Sequence, residues 1–176
     1  MSRRPFDPVF LDALEETVVK WEGRVWRQVF EGSDPFRENT RGARWNPPEV
    51  AALYCSLSAE GAAREIDHII ALQSIEIKRR RITHELDVHL GRVADLRHLA
   101  PLYPFEIDVE SVTSPSWDVP QEIGSAASWL ECGGLLVPSA RHGSANLVIF
   151  INNLAHDDLV EPVGQAFYPS QAEGGR

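Results

Sequence analysis

The stretch TRGARWNPPEVAALYCSLSAEGAARE, residues 40–65, passes through three chain states in succession. Its first part continues a loop over residues 31–48, where Gly, Pro, Asn, Asp and Ser stand at turn-forming density. ALYCSL, residues 52–57, is a short apolar run that predicts a buried strand. Ser58 is placed to cap a helix running through SAEGAAREIDHIIALQ, residues 58–73. Arg44, Tyr54 and Glu65 therefore fall on a loop, a strand and a helix that follow one another. What an arginine, a phenol and a carboxylate share there is the question the rest of the chain must answer.

Upstream, FDPVFLDALEETVVKW carries Asp7 as N-cap, Pro8 at the first helical position and Phe6 with Leu11 as a hydrophobic staple. Leu11, Leu14, Val18 and Trp21 share a helical face, so a helix is expected over 8–21, stopped by Gly23. RVWRQVF, residues 24–30, alternates as a strand, with Arg27 on the side of Val25 and Val29. Downstream of residue 65, the helix stripe runs through Ala62, Ile66, Ile69, Ile70 and Gln73. Glu65 lies at its edge in line with Ile69 and Leu72, where a carboxylate can face a cleft; Arg64 and His68 point farther away. RRITHELDVHL then alternates Ile82, Leu86, Val88 and Leu90 against Thr83, Glu85, Asp87 and His89, a strand with one wet face. Residues 101–120 read as irregular. QEIGSAASWLEC, residues 121–132, reads as a helix ended by Gly133 and Gly134, and LLV and NLVIFI are the remaining strands, joined by the donor-rich loop PSARHGSAN, residues 138–146.

Helices and strands interleave without a regular strand-helix repeat. The expectation is a single α+β domain over 1–176, with mixed or antiparallel sheets, flanking helices, a core over about 24–150 and a loose tail over 169–176. A chain of 176 residues is long enough to enclose a pocket. Seventeen basic and 26 acidic residues give a formal charge of −9, which argues against direct nucleic-acid binding but leaves room for a compact polyanion held by one or two arginines. MSRRPFDPVF lacks a following apolar signal segment and no stretch reaches bilayer-spanning length, so a cytoplasmic location without membrane contact is expected. Cys55 and Cys132 match no paired metal spacing and read as buried free thiols.

Three motifs are set aside. HELDVH, residues 84–89, has valine where a helical zinc site needs its second histidine, so no metal is expected. KRRR, residues 78–81, reads as a solvated strand entrance. Neither GxGxxG nor GxxxxGK[ST] occurs. Taken singly, Arg44, Tyr54, Glu65 and Ser139 are ordinary loop, core, helix-edge and turn residues.

Together they weigh more, because VWRQVF, RGARWNPP, ALYCSLS with Glu65 on the following helix, GLLVPSAR and NLVIF stand in the order in which the RES domain family carries such blocks. The chain resembles that family over roughly residues 24–150. The resemblance implies an ADP-ribosyltransferase-like fold and a reaction on NAD as substrate. It also implies a role as the toxin of a pair whose partner is an Xre-like antitoxin, with a homodimer inside that complex as a further expectation. It carries the family positions onto Arg44, Glu65 and Ser139 as catalytic residues, with Arg27 and Tyr54 as further pocket residues. Three positions depart from the family pattern: Glu49 replaces the glycine common after NPP, and Gly61 and Arg64 interrupt a run of small apolar residues before Glu65.

The chemistry fits the residue types. Cleaving NAD at nicotinamide expels a group that is already cationic, so no acid need protonate it, and one carboxylate can stabilise the oxocarbenium-like transition state and hold the ribose hydroxyls. That role falls to Glu65. Arg27 and Arg44 are suited to the pyrophosphate, Tyr54 and secondarily Trp45 to packing on nicotinamide, and Ser139 and Asn146 to hydrogen-bonding substrate or orienting Glu65. Phosphorolysis with inorganic phosphate as co-substrate, hydrolysis, transfer to a protein, and a catalytically silent NAD or ADP-ribose binding module all remain open at this level.

Overall fold

In the computed structural model, which describes residues 6–72, 80–139 and 143–167, the Asp7 side chain accepts from the Val9 N–H at 2.9 Å and opens α1, Pro8–Glu15. Phe6 and Leu11 pack on the same core cluster, as the staple requires. The helix expected to reach residue 21 ends early. Thr17 donates its hydroxyl to the Leu14 carbonyl at 2.7 Å, and the β-branched run Thr17, Val18, Val19 passes into strand β1, Val18–Phe30. Gly23 lies inside that strand rather than stopping a helix. Long-range pairing wins over the local helical face because β1 runs antiparallel to β3, Arg81–Asp95, from Val18 opposite Ala94 to Phe30 opposite Arg81.

After a long loop, β2, Ala52–Ser56, pairs with β1 at Trp26 and Ser56 and with β5, Ala145–Phe150, along its whole length. The helix α2, Ala59–Leu72, follows, with the Ser58 hydroxyl accepting from the Gly61 N–H at 2.9 Å as its cap. Between β3 and β4, Gly134–Pro138, come a 3₁₀ turn over Ala100–Phe105 and the helices α3, Val109–Thr113, and α4, Asp118–Trp129. The segment expected to be irregular is therefore largely helical, opened at α3 by a capping box between Asp108 and Ser111. Glu131, not a glycine, takes the left-handed turn after α4 at φ 59. Gly134 is already in β4, where a Cβ would stand 2.6 Å from the Val148 carbonyl oxygen. A sixth strand, β6 at Leu159–Phe167, was not expected. It pairs with β3 and is exposed along most of its length, with Pro162 inside it, so neither apolar alternation nor propensity announces it.

The pairings close on themselves. The order is β1-β2-β5-β4-β3-β6 with β1 also bonded to β3, so five strands form a ring and β6 lies outside it on β3. Among the described residues only β3 and β4 run parallel, which makes the sheet mixed, as expected. Inside the ring, Val25, Leu53, Cys55, Leu86, Val88, Leu136, Leu147 and Ile149 form one core. Outside it, Ala52, Leu135, Val137, Val148 and Phe150 pack against α1, the 3₁₀ turn, α3 and α4 as a second. Removing these side chains from water supplies most of the folding drive, roughly 1.5–3 kcal/mol for each large one. Both cysteines are free and buried, as expected. Residues 140–142, Gln73, Lys78, Arg79 and the tail 169–176 lie outside the described residues, as do the side chains of Ile69, Ile70 and Leu72.

Candidate active site

Alternation along β2 sends Leu53 and Cys55 into the ring and Tyr54 and Ser56 to its outer face. On β5 the outward positions opposite them are Val148 and Asn146. The outer face is thus apolar where the helices cover it and polar at the end where β2 leads into α2. Ser139 follows β4 directly, on the alternation of Leu135 and Val137, and donates its N–H to the Ser144 carbonyl at 3.1 Å.

The loop before β2 is held from several sides. Asn39 and Ala52 exchange backbone hydrogen bonds, and a second bridge between Ala43 and Asn46 makes a tight turn with Arg44 and Trp45 at its tip. Asn46 is fully buried. Its amide donates to the Val50 carbonyl at 2.7 Å and the Asn39 carbonyl at 3.2 Å, and its Oδ1 accepts from the Tyr54 hydroxyl at 2.7 Å. The same hydroxyl accepts from the Trp45 N–H at 2.9 Å. Burial pushes the Tyr54 phenol well above its usual pKa, against the pull of these neighbours and of nearby Arg44, so it stays a protonated donor. On the far side, Gln121 donates to the Ala43 carbonyl at 2.8 Å, and α4 comes so close that a Cβ on Gly124 would stand 1.8 Å from the Trp45 carbonyl oxygen. Trp45 itself is core, 3% exposed. Arg44 Nη1 donates to the carbonyls of Ser114 at 2.7 Å and Val112 at 3.2 Å, which ties one prong of its guanidinium to the end of α3.

Glu65 approaches the same end from α2. Its Oε1 accepts from the Asn146 amide at 2.6 Å, and its charge is felt at Cys55, where burial first and Glu65 in lesser measure push the thiol up to about 12. Asn146 Oδ1 is buried without a hydrogen-bond partner among the described residues. The structure therefore brings Glu65, Asn146, Tyr54 and the Arg44 turn to one end of one face, with Ser139 on the adjoining strand end. Arg27 lies on the inward alternation of β1 with Val25, opposite His84. Its Nε, Nη1 and Nη2 donate to the carbonyls of Pro35, Tyr54 and Arg37 at 2.8, 2.9 and 3.0 Å, and burial lowers its pKa. Arg27 ties the long loop to β2.

The residues that sequence reasoning passed over are Asn46 and Gln121, which build the turn, and Ser56 and Ser144, which with the capping Ser58 surround Gly61. Only the Asn46-Pro47 dipeptide gave a signal, and it signalled a turn rather than a buried amide. A cleft of about 380 Å³ lies here, lined by Ser58, Glu60, Gly61, Arg64, Gly143 and Ser144. A separate hollow of about 370 Å³, on the side of α2 carrying Ala59 and Ala63, shares none of these residues.

The NAD(+) phosphorylase MbcT of Mycobacterium tuberculosis and that of Mycobacterium bovis are each 27% identical to the chain over 155 residues, covering 78% of it and 82% of the relative. The crystal structure of the M. tuberculosis MbcT-MbcA toxin-antitoxin complex matches the fold with a TM-score of 0.80 at 22% identity, over 92% of each chain. The RES domain family model matches residues 23–169, and the chain belongs to the RES domain family.

Proposed function

We propose that this chain consumes NAD by cleaving the bond between nicotinamide and ribose, as the toxin of a toxin-antitoxin pair acting in the cytoplasm. The observation that carries the reading is the Glu65 carboxylate, held by Asn146 at 2.6 Å on a polar face shared with Tyr54 and the Arg44 turn. The MbcT relatives, named as NAD(+) phosphorylases, and the match to MbcT in complex with an antitoxin support it. Among the described residues no helix is long and apolar enough to cross a membrane.

The chemistry asks little proton transfer of the protein. As the C1′–N bond breaks, its electron pair neutralises the pyridinium ring, and positive charge develops on the ribose. Glu65, one oxygen fixed by Asn146, turns the other toward that charge and toward a ribose hydroxyl. Arg44, anchored at the end of α3, lends its positive charge to the pyrophosphate, and the rigid turn sets the distance between phosphate and ribose subsites. The Tyr54 ring, with Trp45 beneath the turn, walls the nicotinamide end. Ser139 hydrogen-bonds substrate beside Glu65. Arg27 serves the site by keeping the loop seated.

The test is a chromatographic time course of the purified chain with NAD, with and without inorganic phosphate. Nicotinamide release that disappears in Glu65→Gln supports the reading. An absence of release in both conditions refutes it, and a discrete labelled protein band from lysate with labelled NAD would replace it with protein ADP-ribosylation.

A further inference from the structure

Trp117, the N-cap residue of α4, is 46% exposed, and both segments beside it tie it to the Arg44 turn. Its carbonyl accepts from the Gln121 N–H at 2.8 Å, so it stands one helical turn before Gln121, with Gly124 following on the same face. Gln121 donates to the Ala43 carbonyl, and Gly124 lies against the Trp45 carbonyl. That face of α4 is the one laid on the turn, and Trp117 carries it one turn farther. From the other side, Arg44 Nη1 donates to the Ser114 carbonyl at 2.7 Å. Ser114 is three residues before Trp117, a reach of at most about 11 Å along the chain. The backbone between them is held. Pro115 fixes one φ, and the Ser116 hydroxyl accepts from the Asp118 N–H at 3.2 Å and donates to the Asp118 carboxylate at 3.1 Å. The other aromatic rings nearby are committed elsewhere. Trp45 is core, the Tyr54 hydroxyl is engaged with Trp45 and Asn46, and Trp129, at the far end of α4, packs edge-on against Phe6.

A dinucleotide has a second ring to place. With nicotinamide beside Glu65 and Tyr54 and the pyrophosphate at Arg44, the adenine lies one ribose beyond the phosphates, on the side of Arg44 that leads to Trp117. We propose that the Trp117 indole is the platform on which the adenine of NAD stacks, a reading that rests on NAD cleavage at Glu65. An indole face and a purine face remove apolar area from water when they meet, and the contact needs no charge on either ring. Pinning of the backbone on both sides of Trp117 means that little freedom is lost when the base settles on it. The platform supplies binding alone. It touches neither the reacting ribose carbon nor Glu65, so it holds the ground state and the transition state equally and leaves the chemical step as it is.

In initial-rate measurements of nicotinamide release, Trp117→Ala raises the KM for NAD by about tenfold and leaves kcat within about twofold, the split that follows when binding common to ground and transition state is lost. Trp117→Phe keeps a stacking face and recovers most of the loss. Calorimetry with ADP-ribose reads the same contact without turnover, and its Kd weakens about tenfold in Trp117→Ala. Thermal melts establish that each variant is folded. An unchanged KM for NAD and an unchanged Kd for ADP-ribose in Trp117→Ala overturn the platform while NAD cleavage stands. Equal losses in Trp117→Ala and Trp117→Phe, or a fall in kcat alongside the rise in KM, overturn it in favour of a purely structural indole. If the unaltered chain releases no nicotinamide but binds ADP-ribose through Trp117, the cleavage reading falls and the platform stands, whereas neither release nor binding removes both.

Discussion

Tyr54→Phe removes one oxygen and separates two accounts of that residue. The hydroxyl accepts from the Trp45 N–H at 2.9 Å and donates to Asn46 Oδ1 at 2.7 Å, and Asn46 is fully buried. Deleting it orphans one donor and one acceptor in a region that water does not reach freely. Each such group costs about 1–3 kcal/mol, partly offset by relaxation, so the expected loss is about 2–4 kcal/mol. For a domain of this size that lowers the melting temperature by roughly 5–15 °C. The ring remains, and so does any packing on nicotinamide. If the hydroxyl's task is to seat the turn that carries Arg44, the KM for NAD rises in Tyr54→Phe and tracks the effect of Arg44→Ala. Thermal melts together with steady-state kinetics read both quantities. A melting temperature within about 1 °C of the unaltered chain would refute the hydrogen-bond argument, and a lowered melting temperature with an unchanged KM would detach the turn from substrate binding.

Glu65→Gln should abolish NAD turnover with little change in melting temperature, since the amide keeps an oxygen for Asn146; retained turnover in a chromatographic assay would remove Glu65 from the chemistry. Gly124→Ala should destabilise by about 3 kcal/mol, because its Cβ would meet the Trp45 carbonyl oxygen at 1.8 Å and only separation of α4 from the turn relieves that; a denaturant titration with an unmoved midpoint would contradict it. His84, buried opposite Arg27, has its pKa lowered from 6.5 by desolvation first and by that positive charge second. A depressed folded-state pKa means the unfolded chain binds the proton more readily, so this contribution is complete above about pH 6.5 and is lost as pH falls through the folded value. His84→Gln should flatten the stability profile below about pH 6.5 in urea titrations, and an unchanged slope there would refute the assignment.

Some of this was legible in the sequence for physical reasons that can be named. The α2 cap, the β2 run and the β3 alternation are local patterns strong enough to survive tertiary context, and they place Tyr54 and Glu65 on the right elements. The end of α1 was not legible, because Val18 and Trp21 satisfy a helical face as well as a strand. Only the partner β3, more than sixty residues away, decides between them. β6 was missed because an exposed edge strand needs no apolar alternation. At the proposed site, Arg44 and Glu65 are singled out by residue type and by resemblance. The hydrogen bonds that fix them are not, since Asn46, Gln121 and Asn146 become visible only when the loop folds onto β2 and α4.

The same economy explains why the site sits where it does. β2 is five residues long and serves two masters: Leu53 and Cys55 fill the ring, while Tyr54 and Ser56 supply the polar face. Because side chains alternate, a slip of one residue would bury the phenol and the hydroxyl among Val25, Leu136 and Ile149 and turn two apolar groups outward. The ring core therefore specifies the register, and the register delivers Tyr54 to the Arg44 turn and Ser56 to Gly61. Asn146, fixed opposite Ser56 by the same ladder, then meets Glu65 from α2. Arg27 completes the arrangement from the other face of the sheet, since its three carbonyl contacts bring the loop against β2 at Tyr54. Tyr54, Ser56 and the Asn146–Glu65 pair follow one another along a single strand because hydrophobic burial on its opposite face leaves that strand no other way to lie.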